Sequence, residues 1–314
     1  DRDRSIERSR GEYRIALLGD SMIEGAHVRP NEVVNIRMEE LLKQKGYKRV
    51  EVLNFGVGGY GTTQEYVIYQ QRVRAFRPDL VVLLFVTAND IMNNSSVLQP
   101  KAYGIHTWYA PYYDLAPDGK LVFRPVEPRT FSNLVDFFEE HSALVYYVER
   151  MWARVNIPVY RWEGIPLVWG AYGDSPTIEW HQAWMITEKV LRLLRDSVTA
   201  DGAKFAVLVV PEVNEIDPEW RSRLLKEVGE IPPAFKPEKI KDRLQLIAQR
   251  NEITLDFLGP YMTSYSETHH LRWPYFSFSC DAHYGALGHQ VMAEASVQAL
   301  EKHHLLPSAT NSLR

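Results

Sequence analysis

The chain has 314 residues, 45% of them apolar and 24% charged, an ordinary balance for a soluble globular protein with enough apolar material for a sizeable core. Its net charge of −4 and pI near 6.2 argue against nucleic acid or an anionic membrane surface as the main partner, because both call for a basic face. A single cysteine, Cys280, precludes an internal disulfide, and no apolar run approaches the ~18 residues of a membrane span.

Residues 1–12 are charged and read as a loosely held arm with neither a methionine nor an apolar signal core, the look of a mature or trimmed chain. Residues 13–19 form the first strand. Its apolar run, Ile15 to Leu18, stops abruptly at Gly19-Asp20-Ser21. Ligands bind at the carboxyl edge of open α/β sheets, which makes Ser21 a candidate nucleophile. Taken alone, the triplet reads more readily as the cap of a following helix. A helix is expected over residues 31–45, with Val34, Met38, Leu41 and Leu42 on one face and Gly46 as its stop. A strand over 50–55, the loop Gly56-Val57-Gly58-Gly59-Tyr60-Gly61, and a helix from Thr62 or Thr63 to Phe76 follow. The strand over 80–86 is apolar throughout and therefore central.

The alternation resumes with a helix over 177–199 and a strand over 205–210 ended by Pro211. Helices over 218–228 and 236–250, a short strand over 253–257 and a final helix over 288–302 complete it. It predicts an α/β fold: a three-layer α/β/α domain over residues 13–305 with a parallel sheet of about five strands, then a tail over 306–314.

Between residues 92 and 176 the rhythm is lost. This block holds 12 of the 25 Trp and Tyr residues and reads as an insertion packed over the carboxyl edge of the sheet. Pro117-Asp118-Gly119, flanked by Tyr112-Tyr113 and Leu121-Val122-Phe123, predicts a small hairpin, and an aromatic-rich helix is expected over 132–154. Trp108, Tyr109, Tyr112, Tyr113, Tyr146, Tyr147, Trp152, Trp162 and Trp169 either form the insertion's own core, the favoured reading, or line a substrate pocket. His106, Trp108 and Tyr109 are the substrate-pocket candidates.

Three more constellations fall at predicted strand ends. Gly56-x-Gly58-x-x-Gly61 matches the dinucleotide fingerprint, but that motif wants an acidic residue at the end of the next strand, and Asp79 begins it instead. The alternatives are a tight turn without chemistry, or a loop whose glycines let a backbone N–H approach a substrate oxygen. Thr87-Ala88-Asn89-Asp90 follows the central strand, and Asp281-Ala282-His283 precedes the last helix. Acyl transfer at a serine needs a general base held in one tautomer by a carboxylate, and Asp281 and His283 supply both if their loop turns. The N–H of Ser21, the N–H of Gly59 and the side-chain amide of Asn89 are the oxyanion donors to look for.

Gly19-Asp20-Ser21, Asn54-x-Gly56-x-x-Gly59, Asn89-Asp90 and Asp281-x-His283 resemble the four motif blocks of the SGNH (GDSL-type) hydrolases. The resemblance covers residues 13–90 and 177–302, with Thr87 where the family usually carries glycine. It implies a flavodoxin-like fold with Ser21 as nucleophile, Asp281 and His283 completing the triad, and Ser21, Gly59 and Asn89 forming the oxyanion hole. It further implies a serine esterase acting without cofactor or metal on a small-molecule or glycan ester, a short acyl group such as acetate on a carbohydrate being favoured. An O-acyltransferase modifying a polysaccharide and a non-catalytic glycan-binding module are the alternatives. Export is the expected location. Cys280 is expected to be a buried filler and Asp20 and Asp90 to be structural braces. The pairs His269-His270 and His303-His304 are not metal ligands, because adjacent residues do not share a helix face.

Overall fold

Alternation along the first strand sets the layers of the domain. The computed structural model describes residues 4–103, 110–126, 142–145, 147–148, 151, 161–162, 165–172, 177–228, 236, 238–279 and 281–307. In it β1 (Tyr13–Gly19) sends Ile15 and Leu17 into one apolar layer and Ala16 and Leu18 into the other. Helices α1 (Ser21–Glu24) and α2 (Val34–Gln44) lead to β2 (Val50–Gly56), which pairs with β1 in parallel from Tyr13↔Val50 to Gly19↔Gly56. Helix α3 (Thr62–Gln71) leads to β3 (Leu80–Val86), and α4 (Thr87–Asn93) starts without a break at its end, followed by α5 (Leu98–Tyr103).

The insertion contributes the hairpin of β4 (Tyr112–Leu115) and β5 (Leu121–Arg124), as its turn residues predict, and a short ribbon of β6 (Arg161–Trp162) and β7 (Ile165–Pro166). Of the helix expected over 132–154, residues 142–145, 147–148 and 151 are described, and all but Ser142 are helical. Then come α6 (Ile178–Ala200), β8 (Lys204–Val210), α7 (Val213–Ile216), α8 (Pro218–Val228), α9 (Glu238–Arg250), β9 (Thr254–Phe257), α10 (Gly259–Thr268) and α11 (Ala286–Lys302).

The main sheet runs β2-β1-β3-β8-β9 with every neighbouring pair parallel. This is the flavodoxin-like order, with its switch point between β1 and β3. Leu80, Val82, Leu84 and Val86 join the layer under α2 and α11, and Val81, Leu83 and Phe85 join the layer under α3, α6 and α9. β3 is buried at every position, as its unbroken apolar run predicts.

The arm differs from expectation because it is clamped. Arg14, 2% exposed, donates to the carbonyls of Ser5, Ile6, Glu7 and Phe76 and pairs with Glu51 at 2.9 Å. Arg4 pairs with Glu39 at 2.9 Å and Arg8 with Asp79 at 2.6 Å. Burying a guanidinium is costly unless its donors find acceptors, and the arm supplies three of these four carbonyls.

Two predicted helices are also shorter than expected. The one over 31–45 opens as a 3-10 turn, Pro30–Glu32, and the one from Thr62 tightens to 3-10 at Val73–Phe76 before Arg77 turns left-handed at φ 50°. Tyr172, near the end of the insertion, is buried in the same apolar layer of the domain as Trp180. Tyr147 is 65% exposed. Trp108, Tyr109, Tyr146 and Trp152, and the side chains of Trp162 and Trp169, lie outside the described residues.

Candidate active site

The turn after β1 leaves no room for side chains on its glycines. A Cβ on Gly19 would lie 2.3 Å from the Ile23 side chain, and one on Gly56 would lie 2.5 Å from the Glu24 backbone nitrogen. These two glycines, paired across β1 and β2, let α1 start directly over the strand ends. Asp20 caps α1, its Oδ1 accepting from Met22 N–H at 2.9 Å, and so fixes Ser21 as the first helical residue. The triplet is therefore a helix cap and a serine presented at the sheet edge at once. Asn54 clasps the same corner, donating to the Ile23 carbonyl at 2.7 Å and accepting from Gly56 N–H at 2.8 Å.

Ser21, the glycine loop and Asn89 meet at the switch point. Asn89, in the first turn of α4, donates from its amide to the second oxygen of Asp20, and accepts from Asn93 at 3.3 Å. Gly59 adopts φ 73°, which only glycine takes without strain, and its carbonyl accepts from Gln99 at 2.8 Å. Gly58 N–H is occupied by Glu24 Oε2 at 3.0 Å. Among the described residues neither Ser21 N–H nor Gly59 N–H has a protein acceptor. Asp90 acts as the expected brace, its Oδ2 accepting from Val86 N–H at 2.9 Å where β3 becomes α4. Thr87, in the place of the family's glycine, donates to Glu215 at 2.5 Å and ties α4 to α7.

The last block arrives 262 positions after the serine. His283 Nε2 lies 2.9 Å from Ser21 Oγ, and His283 Nδ1 lies 2.5 Å from Asp281 Oδ1. The same Asp281 oxygen accepts from His283 N–H at 2.9 Å, an Asx turn that folds both side chains to one side of the loop. Gly285 N–H donates to the Phe276 carbonyl, and Tyr284 to the Pro211 carbonyl at 2.6 Å, so the loop is pinned immediately after the histidine. Burial works to raise the Asp281 pKa, but the hydrogen bonds from His283 outweigh it and hold the carboxyl below its usual range. An ionised Asp281 can only accept, which assigns the ring proton of His283 to Nδ1 and leaves Nε2 to accept from Ser21.

Asp20 is fully buried. Burial pushes its pKa up to about 6, against the hydrogen bonds from Met22 N–H and Asn89 that favour the ionised form. Glu65 and Asp90 behind it are also raised, first by burial and then by the neighbouring acids.

Three residues at this site are absent from the sequence reading. Gln99 links the glycine loop to the insertion, since it also accepts from Tyr112 at 2.5 Å. Glu24 holds Gly58. His27 stacks on His283, ring centroids 4.1 Å apart and planes 18° apart. Nothing in the spacing marks them; only Gln99 and Tyr112, in the expected insertion, had a general address. The pocket candidates His106, Trp108 and Tyr109, and Cys280, lie outside the described residues.

A sequence model of the GDSL-like lipase/acylhydrolase family matches residues 17–220. Among solved structures, an acetyl xylan esterase, AlAXEase, is 14% identical, with 91% of this chain and 99% of that one covered at a TM-score of 0.47. TesA is 11% identical, with 93% and 99% covered at 0.48. A catalytic mutant of Axe2, an acetylxylan esterase from Geobacillus stearothermophilus, is 15% identical, with 92% and 94% covered at 0.43. No curated protein matches the sequence.

Proposed function

The chain belongs to the GDSL-like lipase/acylhydrolase family and is a carboxylic ester hydrolase, and we propose that it works through an acyl-enzyme on Ser21 with a short-chain acyl ester of a carbohydrate as substrate. The hydrogen-bonded line from Asp281 through His283 to Ser21 carries this reading. Ser21 Oγ attacks the acyl carbon as its proton passes to His283 Nε2. The oxyanion that forms is met by the N–H groups of Ser21 and Gly59 and by the amide of Asn89. Collapse of the tetrahedral intermediate returns the proton from His283 to the leaving alcohol. Water, deprotonated by the same nitrogen, then attacks the acyl-Ser21 ester, and release of the carboxylic acid restores the hydroxyl. Asp281 holds the tautomer throughout and stabilises the imidazolium in both halves.

The polar groups described around the serine support this substrate class. Among the described residues, His283 bonds Ser21, His27 stacks on His283, Glu24 holds the Gly58 N–H and Asn89 bonds Asp20, all of them polar. A long acyl chain gains about 0.8 kcal/mol per buried CH₂ only where apolar surface receives it. Polar walls suit a small acyl group on a hydroxyl-rich leaving group. Gln99, held by Tyr112, ties the described part of the insertion to the glycine loop beside the serine.

The test is hydrolysis of p-nitrophenyl acetate, butyrate and octanoate beside acetate release from an acetylated oligosaccharide. The expected kcat/KM falls at least tenfold from acetate to octanoate. An increase with chain length overturns the substrate assignment. Accumulation of acylated acceptor in preference to free acetate, when a polysaccharide is supplied, replaces hydrolysis with acyl transfer.

A further inference from the structure

His27 is not needed for the chemistry above, yet it lies against both residues that drive it. Its Nε2 is 3.9 Å from Asp281 Oδ2, the oxygen that His283 does not use, and its ring covers one face of the His283 imidazole. Among the described residues, His27, Asp281 and His283 form a group whose ligand atoms all lie within 4.8 Å of one another. We propose that these three residues form a binding site for a divalent transition metal of the zinc class, and that occupying it switches the esterase off.

The donor set is two imidazoles and one carboxylate, a set suited to Zn²⁺, with water completing the tetrahedron. Bonds of about 2.0–2.1 Å require ligand atoms roughly 3.4 Å apart. Asp281 Oδ1 lies 2.5 Å from His283 Nδ1 and Oδ2 lies 3.9 Å from His27 Nε2, one spacing shorter and one longer than that value, so the carboxylate turns to offer a single oxygen. The stacked rings direct their lone pairs alongside each other, so the His27 ring turns about its side-chain bonds to present Nε2. With 36% of its side chain exposed, the ring has solvent to turn into, at the cost of its stacking on His283. The His283 and Asp281 side chains are 31% and 41% exposed, which gives the ion an entry from solvent.

Inhibition follows from proton placement. The metal takes the Nδ1 lone pair of His283 after that nitrogen's proton leaves to solvent. Nε2 takes up a proton in exchange, so the ring remains a neutral ligand. Nε2 then donates and can no longer accept the Ser21 proton. The Asp281 oxygens turn to the ion and stop fixing the tautomer. The ion disables the base without filling the acyl site.

The consequence for activity rests on the esterase reading; the binding does not, and the experiment keeps the two apart. Zn²⁺ is titrated calorimetrically into chelator-stripped wild type and His27→Ala, each shown to be folded by circular dichroism, and p-nitrophenyl acetate hydrolysis is followed over the same Zn²⁺ range. We expect a saturable site in the wild type that weakens at least about tenfold in His27→Ala, the scale on which even outer-sphere partners tune affinity. Inhibition is expected to follow the same constant, to reverse with EDTA, and to need at least about tenfold more zinc in His27→Ala. Identical calorimetric isotherms for the two proteins overturn the site. Loss of the site in His27→Ala with unchanged zinc inhibition overturns the switch. If the metal-free wild type hydrolyses no ester, the esterase reading fails while the calorimetric comparison still decides the site.

Discussion

The two sides of the site are secured by different physics. On the oxyanion side, Asp20, Glu65, Asp90, Asn93 and Asn94 are all buried, and Asn54, Asn89 and Gln99 link the strand ends to one another through side-chain hydrogen bonds. On the base side, Asp281 and His283 sit in an Asx turn with about a third or more of each side chain in water. Donors aimed at a developing charge are worth most when they need not reorganise, and the buried network supplies that rigidity at the cost of desolvating three acids. The base must hand a proton both to a leaving group and from a water, so solvent access suits it. The same access leaves it open to other ligands.

Breaking the chemistry outright gives the largest effect. Ser21→Ala and His283→Gln are each expected to lower kcat for p-nitrophenyl acetate by at least ~10⁴-fold with the fold intact by circular dichroism. Asp281→Asn separates the two sides. Water can reach Nδ1 in place of the carboxylate, so its loss should stop at about 10²–10³-fold, short of the ~10⁴ of a fully buried triad aspartate. Asn89→Ala probes the buried side and should lower kcat about 10²-fold with KM little changed, the signature of an interaction made only in the transition state.

A smaller effect is expected from the brace. Glu24→Ala frees the Gly58 N–H and loosens the loop carrying Gly59, and should cost about tenfold in kcat, on the low side of losing an oxyanion donor outright. Glu24→Gln keeps an acceptor for Gly58 and should restore most of it. The last expected effect is on stability rather than on rate. Burial first, helped by His27, lowers the pKa of His289 to about 4. The folded chain then binds fewer protons than the unfolded one between pH ~6.5 and 4, so stability is lost as pH falls through that window, by at most ~3 kcal/mol. Thermal melts of His289→Gln at pH 7 and 4.5 should show a smaller drop than wild type.

The part of this site that was legible in the sequence is the part built by short-range rules. Ile15 to Leu18 ending at Gly19 gives a buried strand and a tight turn, and Asp281-x-His283 needs only a local Asx turn to close. Three such blocks follow β1, β2 and β3 and point to one edge because parallel strands put their carboxyl ends together; Asp281-x-His283 reaches that edge from the loop between α10 and α11. His27, Glu24 and Gln99 were not legible, because their roles depend on contacts between separate loops that leave no periodic trace. The arm was misread for a related reason: its charges look solvated until Arg14 is known to lie buried on β1 beside Glu51. Helix α10 begins with Gly259-Pro260 and buries only Gly259, Met262 and Ser266, too weak an apolar stripe to stand out.

The central claim is that Ser21 is the nucleophile, and covalent labelling with a fluorophosphonate followed by peptide mass spectrometry tests it most directly. One adduct per chain is predicted, on the peptide containing Ser21, absent from Ser21→Ala and formed more slowly in His283→Gln. A folded wild-type protein that stays unlabelled, or a Ser21→Ala variant labelled as fast as wild type, would contradict it.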